Sequence, residues 1–201
     1  MDRPLLELET ERLFLQVPPV GAARRILEYC ERNREHLSRW EPFRPEEYFT
    51  ISFWRQQLLA AREEFLSGQS VRSFLVERDP KARDGGRSGP VIGVANLTQI
   101  VRGVLQAGSL GYSLDEASEG KGLMTEALEA LIGYAFDELE LHRIMANYIP
   151  ANDRSAAVLE RLGFEREGFA RRYLYIDGAW RDHVLTARLR DEDDERDSSG
   201  N

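Results

Sequence analysis

Apolar and polar residues alternate at the start of the chain, where Leu6-Glu7-Leu8-Glu9 and Arg12-Leu13-Phe14-Leu15 both repeat with a period of two. This is the period of a half-buried β-strand, whose successive side chains point to opposite faces. The segment 5–17 therefore predicts an opening strand, or one strand in two parts. Pro18 and Pro19 end it, because proline cannot donate to a strand ladder.

The next segments carry the helical period instead. Four apolar residues between 51 and 66 share one helix face, at spacings of four, three and four: Trp54, Leu58, Ala61 and Phe65. We predict a first helix over about 20–38 and a second over 51–66. The proline-containing segment between them is predicted to be a loop.

Strands and helices follow, in mixed order, to residue 186. Strands are predicted over 71–77, 91–101, 107–114 and 143–148, with a helix beginning near Met124 and a shorter one ending at Gly163. A last antiparallel pair follows from residue 164, with Asp177-Gly178 as its turn. Hairpins mixed with helical crossovers are typical of an α+β fold, and we predict one such domain over 1–190.

Composition agrees with one well-cored domain, since 42% of the 201 residues are hydrophobic and 31% are charged. The net charge of −8 is concentrated at one end: 191–197 holds six acids and one base, which leaves 1–190 at about −3. We predict that 191–201 is an acidic disordered tail. Such a tail could also steer a basic protein substrate by long-range attraction.

Several protein classes are disfavoured. No apolar run is long enough for a signal peptide or for a membrane helix of roughly 18 residues. No basic stripe interleaved with aromatic residues marks a nucleic-acid surface. The lone Cys30 cannot form an internal disulfide, and it shares an apolar helical stripe with Ile26. The sequence therefore predicts a cytoplasmic protein without membrane association or direct nucleic-acid binding. No metal is predicted either, because the three histidines and the cysteine lack ligand spacing.

Candidate chemistry begins where a strand runs into a helix, at Gly120-Lys121-Gly122. Glycines there let a ligand approach the backbone, and the free N–H groups of a helix start favour an anion such as phosphate. Gly122 stands where a P-loop has Ser or Thr, and Thr125 stands where the dinucleotide fingerprint has its third small residue. A ligand other than ATP or NAD is therefore indicated, although glycine before a helix is also ordinary loop chemistry.

The glycine motif resembles the acetyl-CoA pyrophosphate loop of the GNAT superfamily, whose pattern is Gln or Arg, two residues, Gly, one residue, and Gly or Ala. The matching run is Glu119-Gly120-Lys121-Gly122-Leu123-Met124. Glu119 and Met124 depart from the pattern, and a carboxylate at Glu119 would have to point away from the phosphates. Runs at 142–150, 152–155, 162–168 and 176–186 resemble the RimJ type of ribosomal-protein-alanine N-acetyltransferases. The close resemblance covers about 111–187, and a looser one covers most of the remainder.

This resemblance implies a GNAT fold, with a central, mostly antiparallel sheet of about six or seven strands flanked by about four helices. It also implies acetyl-CoA as co-substrate. Asn152 would contact the cofactor arm, Ser155 would lie near the thioester sulfur, and Leu159 replaces a tyrosine that protonates the thiolate in many members. Helix capping is the alternative role for Asn152 and Ser155. The residues implied to bind the cofactor are Tyr112, Ser113, Leu114, Gly120, Lys121, Gly122, Leu123, Met124, Thr125, Asn152 and Ser155.

The implied reaction is transfer of acetyl to the N-terminal alanine of a ribosomal protein. An α-amino group suits it, because losing a proton at pH 7 costs about 1.1 kcal/mol there and about 4.6 kcal/mol at a lysine. The enzyme can then work largely by positioning the amine against the thioester. Ser155 is the candidate proton donor, and Glu41 is the candidate catalytic carboxylate, with a solvated loop acid as its alternative role.

The acceptor side is less specific in the sequence. Trp40, Asn96, Tyr148 and Tyr173 are the candidate substrate-binding residues, whereas His183 is more typical of a packed or surface histidine. Two other functions stay open. The acceptor could be a small amine, such as a polyamine, amino sugar or amino acid, because acceptor loops vary within one fold. The chain could also be a mainly non-catalytic binding protein associated with ribosome assembly.

Overall fold

Residues 4–190 are described by a computed structural model. The strands are β1 (Leu6–Glu9), β2 (Leu13–Val17), β3 (Val71–Glu77), β4 (Val91–Val101), β5 (Ala107–Leu114), β6 (Arg143–Tyr148), β7 (Glu165–Ile176) and β8 (Ala179–Leu189). The helices are α1 (Ala23–Arg32), α2 (Arg34–Ser38), α3 (Ile51–Leu66), α4 (Leu123–Asp137) and α5 (Asp153–Arg161). All eight strands form one sheet in the order β1-β2-β3-β4-β5-β6-β8-β7. Neighbouring strands are antiparallel except for β5 and β6, which are parallel.

Helices cover both faces of the sheet. On one face α4 packs against β1, β2 and β4, in an apolar cluster that includes Leu75 and Leu128. On the other face α1 and α3 pack against each other and against β4 and β3, in a cluster that includes Phe74 and Val76. The period of two in β3 sends the neighbours Phe74 and Leu75 to opposite clusters. Each polar side chain of β3 and β4 therefore points either toward α4 or toward the layer formed by α1 and α3.

The predicted mostly antiparallel α+β sheet is confirmed, with eight strands instead of six or seven and five helices instead of about four. The extra strand arises because 5–17 is a hairpin of β1 and β2. The extra helix arises at Asn33, where the helix predicted over 20–38 breaks into α1 and α2. Asn33 accepts the N–H of Glu116 and donates to the carbonyl of Tyr29. Asparagine side chains of this kind compete with a continuous helical backbone.

The parallel strands β5 and β6 part after a short ladder. They pair only at Ala107 with Arg143, Gly108 with Ile144 and Ser109 with Met145, although β5 continues to Leu114. Residues 110–114 therefore have no partner strand on the β6 side. Because α4 follows β5 and α5 follows β6, both helix starts lie at this opening.

Two further predictions concern the acidic tail and membrane association. The acidic tail predicted over 191–201 lies outside the described residues. Within 4–190, no helix is both long enough and apolar enough to cross a membrane.

Candidate active site

The loop before α4 has the backbone conformation of an anion-binding site. Gly120 and Gly122 have φ of 74° and 75°, in the left-handed region that glycine adopts without strain. Gly122 is the N-cap of α4, and no side chain caps this helix end. The N–H groups of the first turn therefore keep hydrogen-bonding capacity for a ligand, and the helix dipole favours an anion there.

A cleft of about 1140 Å³ extends from this loop past the end of β5 to the start of α5. The volume exceeds the roughly 300–1,000 Å³ of small-ligand sites, as a long ligand requires. Lys121 is the one residue of the predicted cofactor set that does not line the cleft, because its Nζ donates to the carbonyl of Ala117 at 2.9 Å. The cleft is lined by the rest of that set: Tyr112, Ser113, Leu114, Gly120, Gly122, Leu123, Met124, Thr125, Asn152 and Ser155.

The first residue of the glycine motif is paired rather than free. The Glu119 carboxylate forms an ion pair with Arg154 and lies 3.2 Å from Nε2 of His36. Its charge is thus balanced by neighbours, which explains how a carboxylate can occupy a place where Gln or Arg is usual. That the Glu119 carboxylate points away from the phosphates stays a prediction, and Glu119 itself lines the cleft.

Asn152 and Ser155 meet at the start of α5, and both line the cleft. Asn152 Oδ1 accepts the N–H of Ser155 at 3.1 Å, which is the capping role. The Oγ of Ser155 lies 2.7 Å from the hydroxyl of Tyr112. Burial raises the pKa of Tyr112 to about 12, while the hydrogen bond to Ser155 opposes that rise. The two hydroxyls are therefore neutral proton carriers at ordinary pH.

Leu159 lies in the core and not in the cleft. Its side chain is only 2% exposed and belongs to the cluster under α4. Leucine has no proton to donate, and this side chain does not reach the cleft. Four residues bring hydroxyl groups to the cleft, Tyr112, Ser113, Thr125 and Ser155, and of these Tyr112 and Ser155 form a hydrogen-bonded pair.

A second cavity, of about 410 Å³, lies between the sheet and the layer formed by α1 and α3. It meets the cleft, because six residues line both: Trp40, Glu41, Tyr112, Ser113, Asn152 and Ser155. The two volumes therefore join beside the Ser155–Tyr112 pair. A donor in the cleft and an acceptor in the smaller cavity would meet at this point.

The predicted acceptor residues are placed unequally by the fold. Trp40, Asn96 and Tyr148 line the smaller cavity. Tyr173 does not line it: the hydroxyl accepts from Nδ2 of Asn147 at 3.4 Å, and the ring lies 5.4 Å from that of His183. Tyr173 is thus one contact removed from the cavity wall. Its role in acceptor binding stays a prediction.

Glu41 lines both cavities, near the start of the loop between α2 and α3. One of its carboxylate oxygens accepts two hydrogen bonds from Arg44, at 3.1 and 3.0 Å. Its backbone carbonyl accepts the N–H of Asp177, which ties this loop to the turn between β7 and β8. The location fits a residue that attracts a protonated amine, and the pairing with Arg44 argues against a free base.

Sequence reasoning missed many residues of these walls, among them His36, Trp54 and His183. His36 is 9% exposed and lines the cleft, although it lies 83 residues from Glu119 and no motif connects the two. His183 is 4% exposed and lines the smaller cavity, with Nδ1 3.1 Å from the Arg181 carbonyl. Helical spacing identifies Trp54 only as a residue on the apolar face of α3. None of the described residues forms a group of three or more metal-ligating side chains.

An anion-binding helix start beside parted parallel strands, with a long cleft that ends at two neutral hydroxyls, defines an acyltransferase that uses a CoA thioester. The family model described as an acetyltransferase (GNAT) domain matches residues 12–165, and the chain belongs to this family. It is therefore an acetyltransferase with acetyl-CoA as its co-substrate, as the glycine motif predicts.

Relatives of the RimJ type are similar over nearly the whole chain. The [ribosomal protein uS5]-alanine N-acetyltransferase of Escherichia coli is 44% identical over 184 residues, which cover 92% of this chain and 91% of the relative. The ribosomal-protein-S5-alanine acetyltransferase structure from Vibrio fischeri is 38% identical, with a TM-score of 0.85 over 93% of this chain and 98% of that one. Mycobacterium smegmatis RimJ in complex with CoA-disulfide is 28% identical, with a TM-score of 0.80 over 90% and 83%. The predicted resemblance is confirmed.

Proposed function

We propose that this chain transfers the acetyl group of acetyl-CoA to the N-terminal alanine of a ribosomal protein, in the cytoplasm, by direct attack in a ternary complex. The observation that carries the proposal is the 44% identity to the E. coli uS5-alanine enzyme over 92% of the chain. The geometry supports it, because two separate cavities meet at one pair of hydroxyls. Direct attack requires both substrates to be bound at once, and this arrangement accommodates both.

The cleft provides the parts that a CoA thioester needs. The first-turn N–H groups of α4, after Gly122, would hold the pyrophosphate. The backbone edge of 110–114 that faces away from β4 would hydrogen-bond the pantetheine arm. Asn152 and Ser155 would lie at the thioester end, where the smaller cavity begins. Binding thus fixes the reacting carbonyl against the mouth of the acceptor cavity.

The chemistry asks little of the protein beyond positioning. The amine nitrogen attacks the thioester carbonyl, the C–S bond breaks, and the amine loses one proton. An α-amine is deprotonated often enough at pH 7, with a pKa of about 7.8, to react without a strong base. The thiol that leaves has a pKa near ~8.5 by analogy with cysteine, so one neutral donor suffices to protonate it. In this scheme Ser155 donates that proton while Tyr112 hydrogen-bonds the serine oxygen. The proton that the amine loses returns to the serine, so that the amide and the free thiol of CoA are the products.

Glu41 has an electrostatic part in the proposal. Its carboxylate lies at the junction of the two cavities and is paired with Arg44. A carboxylate in this place attracts a protonated α-amine to the cavity mouth. Loss of the charge would then raise KM for the acceptor more than it lowers kcat.

The test measures CoA release from acetyl-CoA by the purified chain. An Ala-first peptide is compared with a twin that is blocked at its N-terminus and carries a lysine. Release with the free α-amine alone, together with a 42-Da mass gain at that amine, is the expected result. Equal release with the blocked peptide would place the activity on side chains. Release with small amines alone would assign the chain to small-amine acetylation.

A further inference from the structure

Two buried polar atoms in the wall of the smaller cavity have no hydrogen-bond partner within residues 4–190. They are Nε1 of Trp54, on α3, and Oδ1 of Asn96, on β4. Buried polar groups in folded proteins are almost always paired, because an unpaired one costs about 1–3 kcal/mol. A ligand that supplies a hydrogen-bond partner to each atom would remove this cost at both.

The two side chains are held by different parts of the fold. The indole of Trp54 makes edge contacts with Tyr48 and Phe74, at centroid distances of 5.0 and 6.2 Å. Asn96 lies in register with Gly111 of β5. Directly opposed residues share one face of a sheet, and a Cβ at Gly111 would meet nothing within 4 Å. Open space therefore lies beside Asn96 on its cavity side.

The chemistry of the two atoms specifies what they bind. An indole nitrogen is only a donor, and an amide oxygen is only an acceptor. Their complement is one carbonyl oxygen and one N–H, which is the composition of a single peptide unit. Polyamines lack the carbonyl, and the carboxylate of a free amino acid lacks the N–H. The surrounding aromatic wall strengthens both hydrogen bonds, because little water competes there.

We propose that Trp54 and Asn96 bind the first peptide unit of the acceptor. Nε1–H of Trp54 donates to the carbonyl oxygen of the acceptor's first residue, and Oδ1 of Asn96 accepts the N–H of its second residue. This inference rests on the proposed function, since it requires a polypeptide whose α-amine reaches Ser155. It makes the enzyme selective for peptides over polyamines and free amino acids, because neither offers the two buried atoms both a carbonyl oxygen and an amide N–H.

The first experiment changes the acceptor by one atom. An Ala-first peptide is compared with a depsipeptide in which an ester oxygen replaces the first peptide nitrogen and removes its N–H. We expect the wild-type enzyme to lose about tenfold in kcat/KM on the ester, as for a hydrogen bond whose buried partner is left unpaired. This comparison needs no mutant protein, so a folding defect cannot obscure it.

The second experiment changes the protein. Asn96→Leu is expected to lose about tenfold on the peptide and to show no further loss on the ester, because the interaction is already absent. Trp54→Phe, which keeps a ring and removes the donor, should lose about tenfold on the peptide and still discriminate against the ester. Trp180→Phe is the matched control: Trp180 is 61% exposed on β8, and its replacement should change neither value. The dissociation constant of CoA should stay the same in all three variants.

The outcomes separate the two proposals. Equal kcat/KM for peptide and ester with the wild-type enzyme would overturn the inference while leaving N-terminal acetylation intact. A full ester penalty that persists in Asn96→Leu would overturn the assignment to Asn96. Failure of the wild-type enzyme to acetylate any Ala-first peptide, with small amines still turned over, would overturn the proposed function and this inference together.

Discussion

The hydroxyl of Tyr112 lies 2.7 Å from Oγ of Ser155, so that β5 and α5 are joined at the point where β5 and β6 part. Both residues line both cavities. Tyr112 keeps its proton at physiological pH, because burial raises its pKa to about 12. The pair can supply a proton to a leaving thiolate without placing a fixed charge beside the thioester.

Replacing the serine tests this role. Ser155→Ala should lower kcat about tenfold and leave KM for acetyl-CoA nearly unchanged, below the full 10²–10⁴ of general-acid catalysis because the thiolate is itself a fair leaving group. Tyr112→Phe should have a smaller effect, since the serine hydroxyl remains. Steady-state CoA release measures both, with Ser67→Ala at the exposed end of α3 as the control. An unchanged kcat in Ser155→Ala would remove the serine from the chemistry.

Stability should fall in alkaline solution. Burial raises the pKa of Cys30 from 9.0 to about 12, so between these values the folded state binds more protons than the unfolded state. The contribution of this thiol to the free energy of unfolding is therefore constant below about pH 9 and decreases as the pH rises toward 12. Urea unfolding at pH 7, 9 and 10.5 checks the sign. Cys30→Ala should show a shallower decrease over the same range, and an identical slope would remove the thiol as its cause.

Two glycine-to-alanine substitutions, one beside α4 and one inside it, should change the stability of the fold in opposite directions. Gly122→Ala forces a side chain into the left-handed region and should destabilise the fold by about 1–2 kcal/mol, with a higher KM for acetyl-CoA. Gly133→Ala, inside the same helix, should stabilise it by about 0.5–1 kcal/mol, since the new Cβ meets only a carboxylate oxygen at 4.0 Å. Thermal unfolding and acetyl-CoA titration measure the pair. Equal effects would show that the loop conformation has no special role.

The pairing of Glu119 should govern affinity for acetyl-CoA. Arg154→Ala leaves that carboxylate with less compensation beside the phosphate site, and should raise KM for acetyl-CoA about two- to fivefold, as expected for a bridge whose arginine is 75% exposed. kcat should change little. Adding Glu119→Gln to Arg154→Ala should restore the KM, because the uncompensated charge is then gone. If the double variant keeps the raised KM, the effect of Arg154 is not electrostatic through Glu119.

Much of the fold is readable from the chain, because periodicity reports local burial. The alternation in 5–17 and the helical spacing of Trp54 and Leu58 both correspond to observed elements. The break at Asn33 was missed, since it depends on a hydrogen bond to Glu116, 83 residues away. Such long-range contacts leave no local pattern.

The candidate site is likewise predictable from the sequence only in part. Its cofactor half lies in a continuous motif around Gly122 and is therefore visible in the sequence. Its acceptor half is assembled from α1, α3, β4 and β8, whose cavity residues, such as Trp54 and His183, have the same spacing as core residues. Only the three-dimensional arrangement distinguishes a side chain that faces a cavity from one that faces the core.

The opening between β5 and β6 also affects the mechanics of the domain. Only three residue pairs join the ladder of β1–β5 to that of β6–β8, so the sheet consists of two halves with a short seam. A pantetheine arm that hydrogen-bonds to the free edge of β5 takes the place of a missing strand segment and lengthens that seam. Binding of acetyl-CoA should therefore slow amide hydrogen exchange in β6 and β8 as well as in β5. Without acetyl-CoA, we expect the sheet to open first between β5 and β6.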